Sequence, residues 1–172
     1  MNKEVTVGIA DMKLLRQEGT LITYALGSCI GISFYDPMIK LTALLHIMLP
    51  ISPEKEISQV FKFADTGIQE TLRRMSVFGG IKSRYICKIA GGARMFEVLG
   101  NSSLANIGER NIESVKNILL KEQIQLTQQD VGSNYARTMR VSAETGTVYC
   151  KYPLIGGTGN VKDRDFAGIR YK

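Results

Sequence analysis

Residues 41–49 read Leu-Thr-Ala-Leu-Leu-His-Ile-Met-Leu, with Thr42 and His46 as the polar interruptions. Asp36-Pro37 lies just before this run and Pro50 ends it. Asp-Pro is turn chemistry, and proline cannot donate to a strand ladder. A nearly continuous apolar run between such stops suits a strand covered on both faces. Structure must therefore lie on either side of it. The 172 residues suffice for one domain, or for one domain and a tail. Apolar residues make up 44%, enough to fill such a core.

The flanking segments supply those layers. Val5, Val7 and Ile9 alternate, so Glu4 to Ile9 reads as a strand, followed by a turn at Gln17-Glu18-Gly19. Thr20–Leu26 and Ile30–Tyr35 read as strands separated by Gly27-Ser28. Beyond a loop containing Pro53, the period changes. Phe61, Ala64, Ile68, Leu72 and Met75 form one helical stripe, and Gly79-Gly80 ends it. Arg84–Ala90 returns to strand character before Gly91-Gly92. Glu109–Glu122 forms a second helix with Ile112, Val115, Ile118 and Leu119 inward. Ile124–Val131 is a strand, and Arg137–Ala143 and Thr147–Tyr152 form a hairpin across Glu-Thr-Gly. This order predicts an α+β fold: a mixed or antiparallel β core, sheet or sandwich, packed by two main helices in a single domain. Residues 1–152 form that domain, and 153–172 a Gly-rich basic tail containing Gly156-Gly157-Thr158-Gly159.

Composition narrows the function. No stretch of about 18 apolar residues occurs, so no membrane insertion is expected. The N-terminus lacks the apolar block of a secretory signal. Three cysteines, Cys29, Cys87 and Cys150, do not suit a disulfide framework, and the expected location is the reducing cytoplasm. One histidine and no Cys-x-x-Cys pair leave no zinc pattern, so no metal or other cofactor is expected. The net charge is +6. Residues 151–172 hold five Lys/Arg against two Asp, giving +3, half the excess, and no basic stripe is interleaved with aromatics. Nucleic acid is therefore not the expected partner.

Two residues carry candidate chemistry. Cysteine is most often a small buried hydrophobe, and a lone histidine in an apolar run is most often a satisfied core residue. Cys29, however, sits between two strands and is bracketed by Gly27 and Gly31, which permit positive φ or close approach of a substrate. Ser28, Cys29 and Ile30 offer consecutive backbone N–H groups, and a turn of this kind, with Gly27 and Ser28 as its oxyanion residues, can bind an oxyanion. On the following strand Leu44, His46 and Met48 share one face. A hairpin around Asp36-Pro37 permits His46 to return beside the strand that follows Cys29. A histidine in reach of a cysteine can take the thiol proton and make a nucleophile. A third group must hold the imidazole tautomer. Thr23, Ser28, Ser33, Thr42 and Asp36 are near in sequence; Asp36 suits a turn cap, and Thr23 is the better-placed hydroxyl. Cys87 and Cys150 have no histidine to spare and read as structural. Gly91-Gly92 suits a tight turn better than an anion cradle.

The motifs resemble those of the CheD family, the chemoreceptor glutamine deamidases of bacterial chemotaxis. The likeness rests on Leu26-Gly27-Ser28-Cys29-Ile30-Gly31, Tyr35-Asp36-Pro37 and Leu45-His46-Ile47-Met48-Leu49-Pro50. It continues through Phe63-Ala64-Asp65, Ala90-Gly91-Gly92-Ala93, Met95-Phe96, Ile107-Gly108-Glu109-Arg110-Asn111, Asp130-Val131-Gly132 and Asn134-Tyr135. Where the family often has a small residue and glycine before Leu-Gly-Ser-Cys, this chain has Tyr24-Ala25.

The resemblance implies that Cys29 is the nucleophile, His46 the base and Thr23 the third member of a triad. It implies a protein-glutamine glutaminase that converts glutamine side chains of methyl-accepting chemotaxis receptors to glutamate, releasing ammonia through a thioester. A Cys-His-Thr triad does not by itself separate a deamidase from a cysteine protease or a transglutaminase. The resemblance also implies a second role, as a regulatory binding module that stimulates a CheC-type phosphatase of phosphorylated CheY.

Overall fold

The computed structural model describes residues 3–53, 58–95, 106–153 and 162–165, the last stretch for its backbone alone. In chain order the strands are β1 (Glu4–Thr6), β2 (Asp11–Arg16), β3 (Thr20–Leu26), β4 (Ile30–Asp36) and β5 (Leu41–Ile47). Then come α1 (Ala64–Val77), β6 (Ile86–Gly91), α2 (Ile107–Lys121), β7 (Leu126–Val131), β8 (Arg137–Ser142), β9 (Val148–Tyr152) and β10 (Lys162–Asp165). One sheet runs β1-β3-β8-β9-β10 and the other β2-β5-β4-β6-β7. The β1/β3 and β6/β7 pairs are parallel and the others antiparallel. The α+β fold with two main helices is thus realised as a sandwich whose second sheet is also covered by helices.

The second sheet is the middle layer. Every residue of β4 and β5 is buried, as the apolar run around His46 demands. Alternation divides their side chains between two cores. Ile30, Ile32, Phe34, Ala43, Leu45 and Ile47 pack with Ile68 and Met75 of α1 and Val115 and Leu119 of α2. Leu44 instead packs with Leu21, Leu26, Met139, Val141 and Val148, between the two sheets. At about 25 cal/mol per Å² of apolar surface removed from water, each Val, Leu, Ile, Phe or Met side chain among these contributes roughly 1.5–3 kcal/mol before entropy is counted.

The N-terminal region departs from expectation. The strand expected over Glu4–Ile9 ends at Thr6, and an unforeseen strand, β2, begins at Asp11. The chain turns at Ala10 (φ 56°) and crosses to the other sheet. There β2 is an edge strand in which Met12 alone is fully buried, so its sequence carries little apolar pattern. The helical stripe expected to begin at Phe61 starts at Ala64; Phe61 lies in a 3-10 turn over Val60–Lys62. In the C-terminal segment, residues 162–165 pair with β9, Lys162 opposite Tyr152 and Asp165 opposite Tyr149. The Gly156–Gly159 stretch lies outside the described residues. No described helix is long and apolar enough to cross a membrane.

Candidate active site

The hairpin expected around Asp36-Pro37 joins β4 to β5 and sets Gly31 opposite His46. Cys29 lies two residues before Gly31, so it is the diagonal neighbour of His46 on the same face. That face looks into the gap between the sheets, where Cys29 packs against the inter-sheet core. Gly31 lets this happen. A Cβ there would stand 2.7 Å from Met139 Sδ and 3.0 Å from Leu26 Cδ1, pushing the sheets apart where Cys29 and His46 meet. Neither Gly27 nor Gly31 has positive φ; the left-handed residue is Ala25 (φ 57°). Between Thr23 and Leu26, β3 shifts register by one residue against β8, and Ala25 lies in that bulge.

His46 is fully buried and reaches across the gap to the first sheet. Its Nδ1 lies 2.7 Å from Thr23 Oγ1, and Thr23 Oγ1 lies 2.8 Å from the Val7 carbonyl. A hydroxyl has one proton, and a carbonyl can only accept. Thr23 therefore donates to Val7 O, and His46 must donate from Nδ1 to Thr23. This fixes the tautomer: Nδ1 carries the hydrogen and Nε2 the lone pair. Nε2 is buried with no hydrogen-bond partner among the described residues. The structure brings Cys29 and His46 onto one face, with no hydrogen bond between them.

Burial sets the protonation states. Desolvation pushes the His46 imidazole down to about 4, and pushes the Cys29 thiol up, opposed by its own backbone N–H. At neutral pH the resting pair is a thiol and a neutral imidazole able to act as a base. Cys87 and Cys150 are fully buried and pushed up by desolvation, in keeping with structural roles.

The other hydroxyls considered for the third position have different partners. Ser33 donates to Lys88 O at 3.4 Å and Thr42 to Ala143 O at 3.5 Å. Asp36 accepts from the Met38 and Ile81 N–H groups, each at 3.1 Å, and from the Arg84 guanidinium at 2.6 Å. It caps its turn and ties it to the connection after α1.

Sequence reasoning missed what holds the Cys29 loop. The carbonyl of Gly27 accepts from Ala93 N–H at 2.7 Å and that of Cys29 from Gly92 N–H at 2.8 Å. The carbonyl of the intervening Ser28 accepts from the Asn111 amide at 2.9 Å. Gly91 and Gly92 form more than a tight turn: both have positive φ (115° and 67°), and a Cβ on Gly91 would overlap the Cys29 carbonyl oxygen. The buried Arg137 guanidinium donates to Gly91 O at 2.8 Å, to Asp130 O at 2.7 Å and to Gly132 O, bracing this clamp. The Gly-Gly pair in the sequence was the available signal for it; Asn111, on a distant helix, entered only as the last residue of the Ile107–Asn111 resemblance block, with no role attached. Among the described residues no group of three His, Cys, Asp or Glu could hold a metal ion.

Residues 48–152 match a family model described as CheD chemotactic sensory transduction. A protein of Syntrophomonas wolfei subsp. wolfei, named probable chemoreceptor glutamine deamidase CheD, is 47% identical over 152 residues, covering 88% of this chain and 94% of that protein. One of the same name from Clostridium botulinum (strain Alaska E43 / Type E3) is 46% identical over 156 residues, 90% of this chain and 96% of that protein. A solved structure, the Bacillus licheniformis hypothetical protein YfiH, superposes with a TM-score of 0.37 at 15% identity over 67% of this chain and 46% of that one, too loosely to bear on function. The chain belongs to the CheD family.

Proposed function

We propose that this chain is a chemoreceptor glutamine deamidase, with Cys29 as nucleophile, His46 as general base and acid, and Thr23 as the group that orients His46. The catalytic unit is residues 1–152, with 153–172 as an appended tail, and its place of work is the cytoplasm. The observation that carries the chemistry is the Thr23–His46 hydrogen bond across the sheets, which leaves the Nε2 lone pair unpaired on the face that holds Cys29. The names of the relatives support the substrate.

The steps follow from the groups present. His46 Nε2 takes the thiol proton as Cys29 Sγ attacks the carboxamide carbon of glutamine. Attack places negative charge on the amide oxygen. Peptide C=O and N–H groups point in opposite directions across a trans bond, and no cis bond occurs among the described residues. With the Gly27 and Ser28 carbonyls held inward, the Ser28 and Cys29 N–H groups face the other way, where they can receive the oxyanion. Gly27's own N–H donates to Ala25 O at 2.9 Å, so Gly27 serves the turn through its carbonyl. One such donor is worth about 2.7–4 kcal/mol in enzymes where it has been removed. The His46 imidazolium then gives its proton to the departing nitrogen, and ammonia leaves a thioester on Cys29. His46 next removes a proton from water, water attacks the thioester, and glutamate and free thiol result.

A protease would expel a peptide amine instead of ammonia, and a transglutaminase would use an amine instead of water. Mass spectrometry of a chemoreceptor cytoplasmic fragment incubated with the protein separates them, a gain of roughly 1 Da marking conversion of glutamine to glutamate. Backbone cleavage, or no mass change, defeats the reading. The second role, binding a CheC-type phosphatase, has the exposed Met95 beside Gly27 as an apolar contact at the site. Added phosphatase should then inhibit deamidation as it binds; simultaneous binding with full activity counts against a shared surface.

A further inference from the structure

Asn111 is a polar side chain on a helix face otherwise committed to the core. It lies one helical turn before Val115 and two before Leu119, and like Val115 it is fully buried. Burying an amide is costly unless it is hydrogen-bonded. Its Nδ2 donates at 2.9 Å to Ser28 O and at 2.9 Å to Met48 O. Its Oδ1 is buried with no partner among the described residues. Both partners are carbonyls, so the amide cannot be flipped without facing oxygen to oxygen and losing both bonds. A single –NH2 group thus ties together two backbone segments far apart in sequence.

What those segments carry gives the tie its meaning. Ser28 O belongs to the peptide whose other end is the Cys29 N–H. Met48 O lies two residues after His46, just past the end of β5. We infer that Asn111 is a positioning residue for the deamidation reaction: it fixes the Cys29 peptide, and with it the oxyanion-binding N–H, relative to the strand that presents His46. The inference rests on the Cys29–His46 reading above. Two donors on one nitrogen are what the position requires. Serine has one donor on a shorter side chain, alanine none, and aspartate at neutral pH none. Ser114, close by on α2, donates to Pro50 O at 2.6 Å, so the helix grips the same segment twice and keeps one hold when the Asn111 bonds are removed.

A positioning role and a merely structural one differ in what they move. Ammonia release from a chemoreceptor cytoplasmic fragment should give kcat lowered about 10- to 100-fold in Asn111→Ala, with KM within about twofold, because orientation acts in the transition state more than in binding. The rate of Cys29 alkylation by iodoacetamide reads the Cys29–His46 relation without receptor. Asn111→Ala should slow it in the wild-type background and change it little in His46→Ala, since the two substitutions disrupt one unit. A folded Asn111→Ala with kcat within threefold of wild type, a loss carried by KM, or equal slowing of alkylation in both backgrounds overturns the assignment. If Asn111→Ala does not fold, Asn111→Ser serves in its place, with the same results expected and the same results overturning it. If His46→Ala leaves alkylation unchanged, the Cys-His reading itself fails, and this is seen independently of Asn111.

Discussion

The two faces of β5 are built from alternate residues of one strand, and they do different work. Ala43, Leu45 and Ile47 face the helices within an apolar core. Leu44 and His46 face the other sheet, where His46 meets Thr23. The helix-facing side is close-packed and chemically silent. The sheet-facing side gives up apolar packing at His46, beside Gly31 of β4 and Thr23 of β3, and gains a tautomer-locked imidazole, the proposed base, in return. One strand therefore anchors the fold with one set of side chains and, in the proposed mechanism, aims the reaction with the other. Substitutions on the two faces should separate stability from activity.

The strongest separation lies on the reactive face. Cys29→Ala or His46→Ala should lower ammonia release by about 10⁴-fold or more, as for members of other nucleophilic triads, while the thermal transition persists. Substantial activity in purified Cys29→Ala would break the comparison at once. On the helix-facing side, Leu45→Ala should cost about 2–5 kcal/mol of stability, read by denaturant unfolding, with normal kcat per folded molecule. A selective loss of kcat there would show that the faces are not independent.

The pH dependence of stability sharpens the contrast. The folded-state pKa of His46 is depressed to about 4 from an ordinary 6.5. The unfolded chain therefore takes up this proton first as pH falls. Stability from a neutral His46 is complete above about 6.5 and is lost progressively down to about 4, by roughly 3 kcal/mol in all. Wild-type stability should fall over that window more than that of His46→Gln, and equal slopes would contradict the burial argument. The acid limb of kcat/KM in the free enzyme should likewise fall well below 6.5. Thr23→Val removes the oxygen but keeps the shape. It should lower kcat about 10- to 100-fold by freeing the tautomer, and cost about 1–3 kcal/mol by leaving Val7 O and Nδ1 unpaired. The smallest effect is expected at Ala25→Gly. A left-handed alanine is strained by about 1–2 kcal/mol, and glycine relieves it with some loss to chain entropy. Stability should rise by at most about 1 kcal/mol, and a clear fall would mean that the Ala25 methyl is needed in its place.

The sequence made β5 readable because alternation places Leu44 and His46 together whatever the strand pairs with. Asp36-Pro37 foretold the hairpin, and the hairpin register then delivered His46 opposite Gly31. β2 was hidden because an edge strand needs only Met12 inside, so Asp11–Arg16 lacks a pattern. The reason for the glycines was also hidden. Gly31 answers to Met139 and Leu26, and Gly91 to the Cys29 carbonyl, so each depends on a distant segment whose position no local pattern reveals. Asn111 is the extreme case, separated by 83 residues from one of its partners and 63 from the other.

The division of Thr23 and His46 between the two sheets has a consequence for assembly. The chain enters one sheet with β1, crosses to the other with β2, and returns with β3, so neither sheet can be completed before the other has begun. Pairings of such long sequence separation form slowly. In the proposed mechanism an intermediate with either sheet alone lacks an oriented base and should not hydrolyse glutamine. During refolding, ammonia release should therefore appear only when the sheets dock, later than the recovery of strand signal. The nascent protein would be silent toward stray glutamines until it is whole.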